Sequence, residues 1–188
     1  SFYATKNMMT GEGGMVLTND AKADKYARQI INHGRDGHST FTVLGYNYRM
    51  TNLAASIGIA QLEQLESWIA KRISNADKYN EAFKNLDFIK TPVVPLKTRH
   101  VFHQYTLRID EKERENFMQY LKAAGISCGV YYDCVLYKQP YYKKLGYKDG
   151  LCPQAQQAAK EVVSLPVHPS LSASDVEKVI KTVRNYKK

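Results

Sequence analysis

The sequence predicts a mixed α/β fold, and three features of the chain predict it. Near the start, a glycine-rich turn at residues 11–14 leads into a short apolar run and then a helical pattern. From about residue 52, apolar residues recur three or four positions apart over about 30 residues, the spacing of one long helix or a bent pair. Beyond residue 90, strand-like alternation and helical spacing follow one another, as is typical of a small α+β lobe.

The first 50 residues predict one strand, one helix and a long loop. Residues 15–17 read MVL and predict a short buried strand, and Asp20 is placed to cap a helix that runs to about Asn32. Residues 35–51 lack periodicity and predict a loop, and loops of this length are usually functional or mobile. The inward face of the helix is expected to carry Tyr26, Ile30 and Ile31. One strand and one helix cannot enclose a core of their own.

The remainder of the chain predicts a complete small lobe. Pro92 and Pro95 are expected to end the long helix. Three strands are predicted, over residues 100–109, 126–132 and 164–167. Three helices are predicted to begin near Asp110-x-x-Glu113, Pro153 and Ser172-x-x-Asp175. The predicted organisation is a remnant of a larger lobe at 1–50, a long connecting helix at 51–90 and a small C-terminal α+β lobe at 91–188.

Composition and cysteine spacing indicate the cellular compartment and argue against a metal site. No apolar run approaches the ~18 residues of a membrane span, and no basic-then-apolar leader opens the chain, so we expect a cytoplasmic protein without a membrane partner. The three cysteines are spaced by 6 and 18 residues, outside any C-x-x-C pattern. The histidines do not pair with them at ligand spacing, so we expect reduced thiols and no metal site.

The net charge is +9, from 27 Lys and Arg against 18 Asp and Glu. A basic balance suits nucleic acid, an anionic membrane or phosphorylated small molecules. The densest basic stretch, YYKK at residues 141–144, combines aromatic and basic side chains that suit stacking on single-stranded nucleic acid. Packed tyrosines with solvated lysines are the commoner origin of such a stretch. We therefore expect no nucleic acid partner, and a basic single-strand binder stays as an alternative hypothesis.

The strongest chemical signal is the run SFYATKNMMTGEGG at residues 1–14. A single lysine is ordinarily a surface charge, but Lys6 lies among small and hydroxyl residues before a glycine-rich turn and an apolar run, which places its amine near an interior. A desolvated lysine is a nucleophile for carbonyl compounds, which a Schiff base requires. Nearby Ser and Thr hydroxyls suit a phosphate. An aldehyde that carries a phosphate describes pyridoxal 5′-phosphate (PLP), whereas a P-loop is excluded because its G-x-x-x-x-G-K-[ST] order is missing.

This run resembles the lysine motif of the DegT/DnrJ/EryC1/StrS family of sugar aminotransferases, which are fold-type-I PLP enzymes. Further segments resemble the family in the same order: GYNYRMTN at residues 45–52, HVFHQY at 100–105, QPY at 139–141 and LPVHP at 165–169. The resemblance covers essentially the whole chain. It implies an α/β fold-type-I PLP transferase of which this chain forms the end of the large PLP-binding lobe, the long connecting helix and the small lobe.

The resemblance implies a role for each matching residue. Lys6 would bind PLP and move the proton between the amino-acid Cα and the cofactor C4′, while Ser1 would bind the cofactor phosphate. Asn47 would reach the phosphate in the neighbouring subunit's site, so we expect a homodimer. Arg49 and His103 are weaker candidates for substrate contact, and His103 is equally well explained as a packed strand residue.

The chain also departs from the family pattern. Where the family commonly reads Y-P-x-P-L-H-x-Q-P, residues 132–140 read YDCVLYKQP, which leaves the substrate choice of this lobe open. A related branch of the family replaces the lysine with histidine and performs dehydration, and Lys6 argues against that branch. Family members are longer, and the resemblance implies that a half before Ser1 supplies the acidic partner of the pyridine nitrogen. We therefore expect this chain to be inactive alone.

The predicted function is that of a PLP-dependent transaminase acting on a nucleotide-linked keto-sugar in amino-sugar and polysaccharide biosynthesis. The amino group would come from an amino-acid donor, glutamate or glutamine. The alternative is a non-catalytic regulatory or binding module built from the same lobe, because some family members carry regulatory names.

Overall fold

The computed structural model describes residues 1–186, which form two compact units, one over Ser1–Glu66 and one from Ser67 onward. In chain order the elements are α1 (Ala21–Ile31), β1 (Arg35–Asp36), β2 (Thr40–Phe41), α2 (Asn52–Phe83), β3 (Ile89–Lys90), β4 (Tyr105–Ile109), α3 (Arg114–Ala123), α4 (Pro140–Lys144), α5 (Pro153–Glu161), β5 (Val162–Leu165) and α6 (Ala173–Arg184). A single 3-10 turn, Leu136–Lys138, precedes α4. The predicted three-part division at residues 50 and 90 stays a prediction.

Helix α1 begins where the sequence predicts. The Asp20 carboxylate accepts hydrogen bonds from the backbone N–H groups of Lys22 at 2.8 Å and Ala23 at 3.4 Å. Its predicted apolar face is wrong for Tyr26 and Ile31, which are 53% and 39% exposed, whereas Ile30 is half-buried. Every fully buried apolar side chain among residues 1–186 lies in the second unit, so the first unit offers this face no core to pack against.

Two further predictions for the first unit are wrong. Residues 15–17 form no strand, and Met15, Val16 and Leu17 are 66%, 79% and 85% exposed. A strand needs a neighbour to take its backbone hydrogen bonds, and none is paired with these residues in the described part of the chain. Residues 35–51 are not all loop, because β1 and β2 form a small antiparallel hairpin in which Arg35 pairs with Phe41.

Helix α2 is the long helix that the apolar spacing predicts, with 32 residues. The Thr51 side chain accepts a hydrogen bond from the Ala54 backbone N–H at 3.1 Å and so caps its first turn. The helix ends at Phe83, ahead of Pro92 and Pro95, because the chain turns where Leu86 N–H donates to the Phe83 carbonyl at 3.0 Å. No helix in residues 1–186 is long and apolar enough to cross a membrane.

The second unit is built on an antiparallel sheet in the order β3-β4-β5. Ile89 pairs with Ile109, and Tyr105 pairs with Leu165. Strand β4 alternates as predicted, with Tyr105, Leu107 and Ile109 buried. The core on this face includes residues of α2, α3 and α6: Ala76, Tyr79, Phe83, Phe117, Leu121, Val176, Val179 and Val183.

Other predicted elements in the second unit shift or disappear. Strand β4 begins at Tyr105 rather than residue 100, because Phe102 has φ +40°, which no extended strand contains. Residues 126–132 form no strand, and only Gly129 bridges to Ser164. Glu113 makes no capping hydrogen bond at the start of α3. Residues 141–144, where packed tyrosines are expected, lie on helix α4, which the sequence does not predict. Tyr141 is 66% exposed.

Candidate functional site

Residues 1–14, here called the lysine loop, form a closed loop around Lys6. The Phe2 N–H donates to the Gly13 carbonyl and the Thr10 N–H donates to the Phe2 carbonyl, both at 2.8 Å. A tight turn inside the loop is closed by the Lys6 N–H, which donates to the Tyr3 carbonyl at 2.9 Å. The Lys6 side chain is half-buried, so its amine is presented from a braced backbone rather than from a mobile tail.

Ser1 and the glycine turn lie at the same end of the lysine loop. A Cβ on Gly14 would come within 3.7 Å of the Ser1 Cα, so the two backbones are adjacent. The Ser1 Oγ accepts a hydrogen bond from the Tyr3 N–H at 3.3 Å. Because this bond occupies an oxygen lone pair, the hydroxyl hydrogen remains a donor for a phosphate oxygen.

Thr10 behaves differently from the other hydroxyl residues of the loop. It is 7% exposed, and its hydroxyl donates to the Glu12 carbonyl at 2.6 Å. At Gly13, where φ is +142°, a Cβ would meet the Thr10 Oγ1 at 2.7 Å. Thr10 therefore shapes the glycine turn, and its hydroxyl hydrogen is used within the loop rather than offered to a phosphate.

The second part of the site is residues 45–50, here called the Asn47 segment. Its backbone pairs with the end of α1, where Asn47 bridges to Asn32 and the Tyr48 N–H donates to the Ile31 carbonyl at 3.0 Å. The Arg49 guanidinium donates from Nη1 to the Asn32 Oδ1 at 2.6 Å. Asn47 and Arg49 are both exposed, so their polar groups face outward from this anchored backbone.

The structure brings two pairs of predicted site residues together. Ser1 and Lys6 share the lysine loop, and Asn47 and Arg49 share the Asn47 segment. The two parts meet at Met50, because a Cβ on Gly13 would lie 2.8 Å from the Met50 Cε. The first unit therefore holds four of the five predicted residues on two adjoining loops.

His103 belongs to the second unit, just before β4, and is half-buried. Its carbonyl accepts a hydrogen bond from the Arg72 Nη1 at 3.3 Å, and the Phe102 carbonyl accepts from the same nitrogen at 3.1 Å. Arg72 is buried, and burial lowers the pKa of its guanidinium. These contacts fix the backbone of His103.

Two residues of the site escape the sequence reasoning. Asn32 holds Arg49, yet in the sequence it is only the residue at the end of a helix. Gln61 accepts a hydrogen bond from the Met9 N–H at 3.0 Å, across 52 residues of sequence. In the sequence Gln61 is an ordinary polar residue of a helix, and no local pattern links it to Met9.

The sequence profile of the DegT/DnrJ/EryC1/StrS aminotransferase family matches residues 1–184. The chain belongs to this family. The resemblance seen in the sequence is thereby confirmed, and so is the α/β fold class.

Three relatives illustrate the similarity. The "Pleiotropic regulatory protein" of Geobacillus stearothermophilus is 36% identical over 189 residues, covering 99% of this chain and 50% of the relative. The UDP-2-acetamido-2-deoxy-3-oxo-D-glucuronate aminotransferase of Pseudomonas aeruginosa is 34% identical, covering 98% and 50%. The PLP-form structure of the putative sugar aminotransferase Spr1654 from Streptococcus pneumoniae superimposes with a TM-score of 0.83 at 28% identity, covering 97% and 49%. The chain thus spans about half the length of these relatives.

The residues of the lysine loop fit the functional groups of PLP. A primary amine on a braced, half-buried residue suits an aldehyde. The Ser1 hydroxyl, whose hydrogen remains a donor, suits a phosphate. Both groups come from one loop closed at Phe2, so the donor set is held by local backbone bonds.

Proposed function

We propose that this chain is part of a PLP-dependent transaminase that aminates a nucleotide-linked keto-sugar. The observation that carries the proposal is the lysine loop, where Lys6 and Ser1 lie on one closed backbone in a chain of the DegT/DnrJ/EryC1/StrS family. The printed names of its relatives include a UDP-sugar aminotransferase and a PLP-form sugar aminotransferase. A place in amino-sugar or polysaccharide biosynthesis follows from that activity.

Lys6 is the proposed catalytic residue. Its Nζ would hold the cofactor through the cofactor's aldehyde. Once the amino donor has taken that place, the same nitrogen would carry the proton from the donor Cα to C4′. PLP, when bound, supplies an electron-accepting ring for the electron pair left behind on the donor. The loop's hydrogen bonds would hold the Lys6 backbone, from which the side chain extends, in place through both proton movements.

Ser1 and Asn47 are the proposed phosphate ligands. Ser1 acts within its own chain, where the Tyr3 N–H orients its hydroxyl. Asn47 acts in the site of a second copy, and its exposure on a segment braced against α1 supports that role. The working protein is therefore a homodimer. A cytoplasmic location stays a prediction.

Arg49 and His103 are proposed to contact the substrate. The guanidinium of Arg49 suits the pyrophosphate of a nucleotide sugar, because it is always charged and donates along two edges. The net charge of +9 favours such an anionic substrate. His103 would contribute a ring nitrogen from its fixed backbone.

The test is cofactor binding at Lys6. The 188-residue chain and the longest polypeptide encoded by the same reading frame are each incubated with PLP, scanned for visible absorbance, reduced with borohydride and mapped by peptide mass. We expect a visible band that borohydride bleaches, with the added mass on Lys6. Lys6→Ala should abolish it, whereas Lys22→Ala, a surface lysine of α1, should not. Absence of the band from both polypeptides would contradict the proposal.

A non-catalytic regulatory module is the second candidate. The observation that favours it is the 36% identity to a relative named a pleiotropic regulatory protein. A protein that remains monomeric and shows no PLP band would support this candidate. Transfer of an amino group from glutamate or glutamine to a nucleotide-linked keto-sugar would exclude it.

A further inference from the structure

The lysine loop is tied to helix α2 by the side chain of Gln61. The Met9 N–H donates to the Gln61 Oε1 at 3.0 Å, and the bond is partly buried. Met9 lies three residues after Lys6, and Gln61 lies nine residues into α2. A backbone amide held by a helix side chain cannot shift without leaving a polar group unpaired, which costs about 1–3 kcal/mol when buried.

A small residue on the same helix makes room for the loop. Gly58 is buried, and a Cβ there would meet the Thr10 Cγ2 at 3.1 Å and the Met8 Cε at 3.6 Å. Gly58 and Gln61 are three residues apart, so they face the same side of α2. The loop therefore rests on one helical face, with Gly58 beneath Thr10 and Gln61 holding Met9.

The loop transmits this attachment to Lys6 through its own backbone bonds. Thr10, directly after the anchored Met9, donates its N–H to the Phe2 carbonyl at 2.8 Å. Phe2 is followed by Tyr3, whose carbonyl accepts the Lys6 N–H at 2.9 Å. Two backbone hydrogen bonds, Thr10 to Phe2 and Lys6 to Tyr3, thus connect the residue held by Gln61 to the Lys6 backbone.

We infer that Gln61 and Gly58 are positioning residues for Lys6: the first turns of α2 set where the lysine amine lies. The inference deepens the proposed function and rests on it for its catalytic meaning. Gln61 touches neither cofactor nor substrate in this scheme. It acts through Met9, and Gly58 acts by allowing the loop to seat closely.

The first experiment changes the acceptor on Gln61. Gln61→Leu removes it, Gln61→Glu retains a carboxylate acceptor, and Glu63→Leu is the matched control at an exposed position of the same helix. Two readouts are used on each protein, hydrogen exchange of the Met9 amide and the rate at which trinitrobenzenesulfonate labels Lys6. We expect faster Met9 exchange and a labelling rate at Lys6 changed severalfold in Gln61→Leu, with near wild-type values in the other two.

A second variant tests the same inference by changing the packing at Gly58 and leaving Gln61 unchanged. Gly58→Val pushes against Thr10, whereas Ala60→Val places the same side chain at an exposed position of α2. We expect Gly58→Val alone to lower the rate of PLP capture at Lys6 by about tenfold, since displacing a reacting group by about 1 Å costs one to two orders of magnitude. Helix content by circular dichroism should match between the two variants.

The outcomes separate this inference from the proposed function. Unchanged Met9 exchange or unchanged Lys6 labelling in Gln61→Leu would overturn the positioning role, even in a protein that binds PLP. If the wild-type protein captures no PLP, the proposed function fails. The Met9 and trinitrobenzenesulfonate readouts, taken on Gln61→Leu and also on Gly58→Val, would still decide whether Gln61 and Gly58 set the position of Lys6.

Discussion

Asn32 and Arg49 are joined by a hydrogen bond of 2.6 Å from the guanidinium Nη1 to the amide Oδ1. Asn32 is also the C-cap residue of α1, and its backbone bridges to Asn47. One residue at a helix end therefore orients both polar residues of the Asn47 segment that are proposed to act on phosphate groups. Because Arg49 is exposed, this bond favours the rotamers in which its guanidinium lies against Asn32.

Replacing Asn32 by alanine should weaken substrate binding more than turnover. Loss of an exposed bond to a charged group costs about 1 kcal/mol, which corresponds to about a fivefold rise in KM for the nucleotide-linked keto-sugar with kcat little changed. Asn32→Asp keeps an acceptor for Arg49 and should stay close to wild type. Steady-state kinetics of the active protein measure KM and kcat for each variant. An equal fall in kcat for Asn32→Ala and Asn32→Asp would contradict the prediction.

Gly34 and Gly37 provide a matched pair for testing how the Asn47 segment is held. Both have φ +80°, but a Cβ on Gly34 would run into the Val43 carbonyl oxygen, whereas Gly37 has open space around it. Gly37→Ala should cost only the left-handed backbone penalty of about 1–2 kcal/mol. Gly34→Ala should open the pairing between the end of α1 and residues 42–48, because its backbone has no room to adjust.

Hydrogen exchange distinguishes the two glycine variants. In the wild-type protein the Thr42 N–H donates to the Gly34 carbonyl at 2.9 Å, and the Tyr46 N–H donates to the Ile30 carbonyl at 2.7 Å. We expect peptides spanning these amides to lose protection in Gly34→Ala and to keep most of it in Gly37→Ala. Equal loss in both would show that backbone strain, not the close approach at Gly34, controls this pairing.

The features that could be predicted from the sequence are the ones set by neighbouring residues. Asp20 caps α1, and Ser172 with Asp175 forms the capping box of α6, because each cap needs only residues two or three positions away. The spacing of α2 and the alternation of β4 are likewise local. Lys6 and Ser1 could be named because they lie in one short motif.

The features that escaped prediction depend on residues far apart in sequence. Strand β4 starts late because Phe102 is held at φ +40°, where its carbonyl accepts from the Arg72 Nη1 at 3.1 Å and its N–H donates to the His100 Nδ1 at 2.9 Å. The bond between Arg49 and Asn32 spans 17 residues, and no periodicity encodes it. The apolar run at residues 15–17 predicts a strand only if another strand lies beside it.

The three cysteines should separate into two reactivity classes. Cys134 and Cys152 are exposed, whereas Cys128 is half-buried with its Sγ 4.0 Å from the Met118 carbonyl. Burial raises the pKa of the Cys128 thiol, and nearby Glu115 raises it further. Since the thiolate is the reactive form, labelling by a disulfide reagent near pH 8 should be fast at two positions and slow at Cys128. Urea should remove the difference, and equally fast labelling in the folded protein would contradict the prediction.

The capping box of α6 should make part of the stability depend on acid. The Asp175 carboxylate accepts from the Ser172 hydroxyl at 2.6 Å and from the Ser172 N–H at 2.9 Å, and these bonds hold its pKa below the ordinary value of 3.8. A carboxyl group whose pKa is lowered on folding stabilises the folded state above its unfolded pKa and loses that contribution as pH falls through its folded pKa.

Ser172→Ala should therefore destabilise the second unit by about 1 kcal/mol near pH 7, the typical worth of an N-cap. The difference in unfolding free energy between Ser172→Ala and wild type should narrow below pH 3.8, because a protonated Asp175 no longer gains from accepting the Ser172 hydroxyl hydrogen. It should not vanish, since the Ser172 Oγ also accepts the Asp175 N–H at 3.1 Å. Urea unfolding at several pH values measures this, with Ser170→Ala, an exposed serine before the helix, as the control. If the difference in unfolding free energy stays constant with pH, the Asp175 carboxylate contributes nothing to the cap.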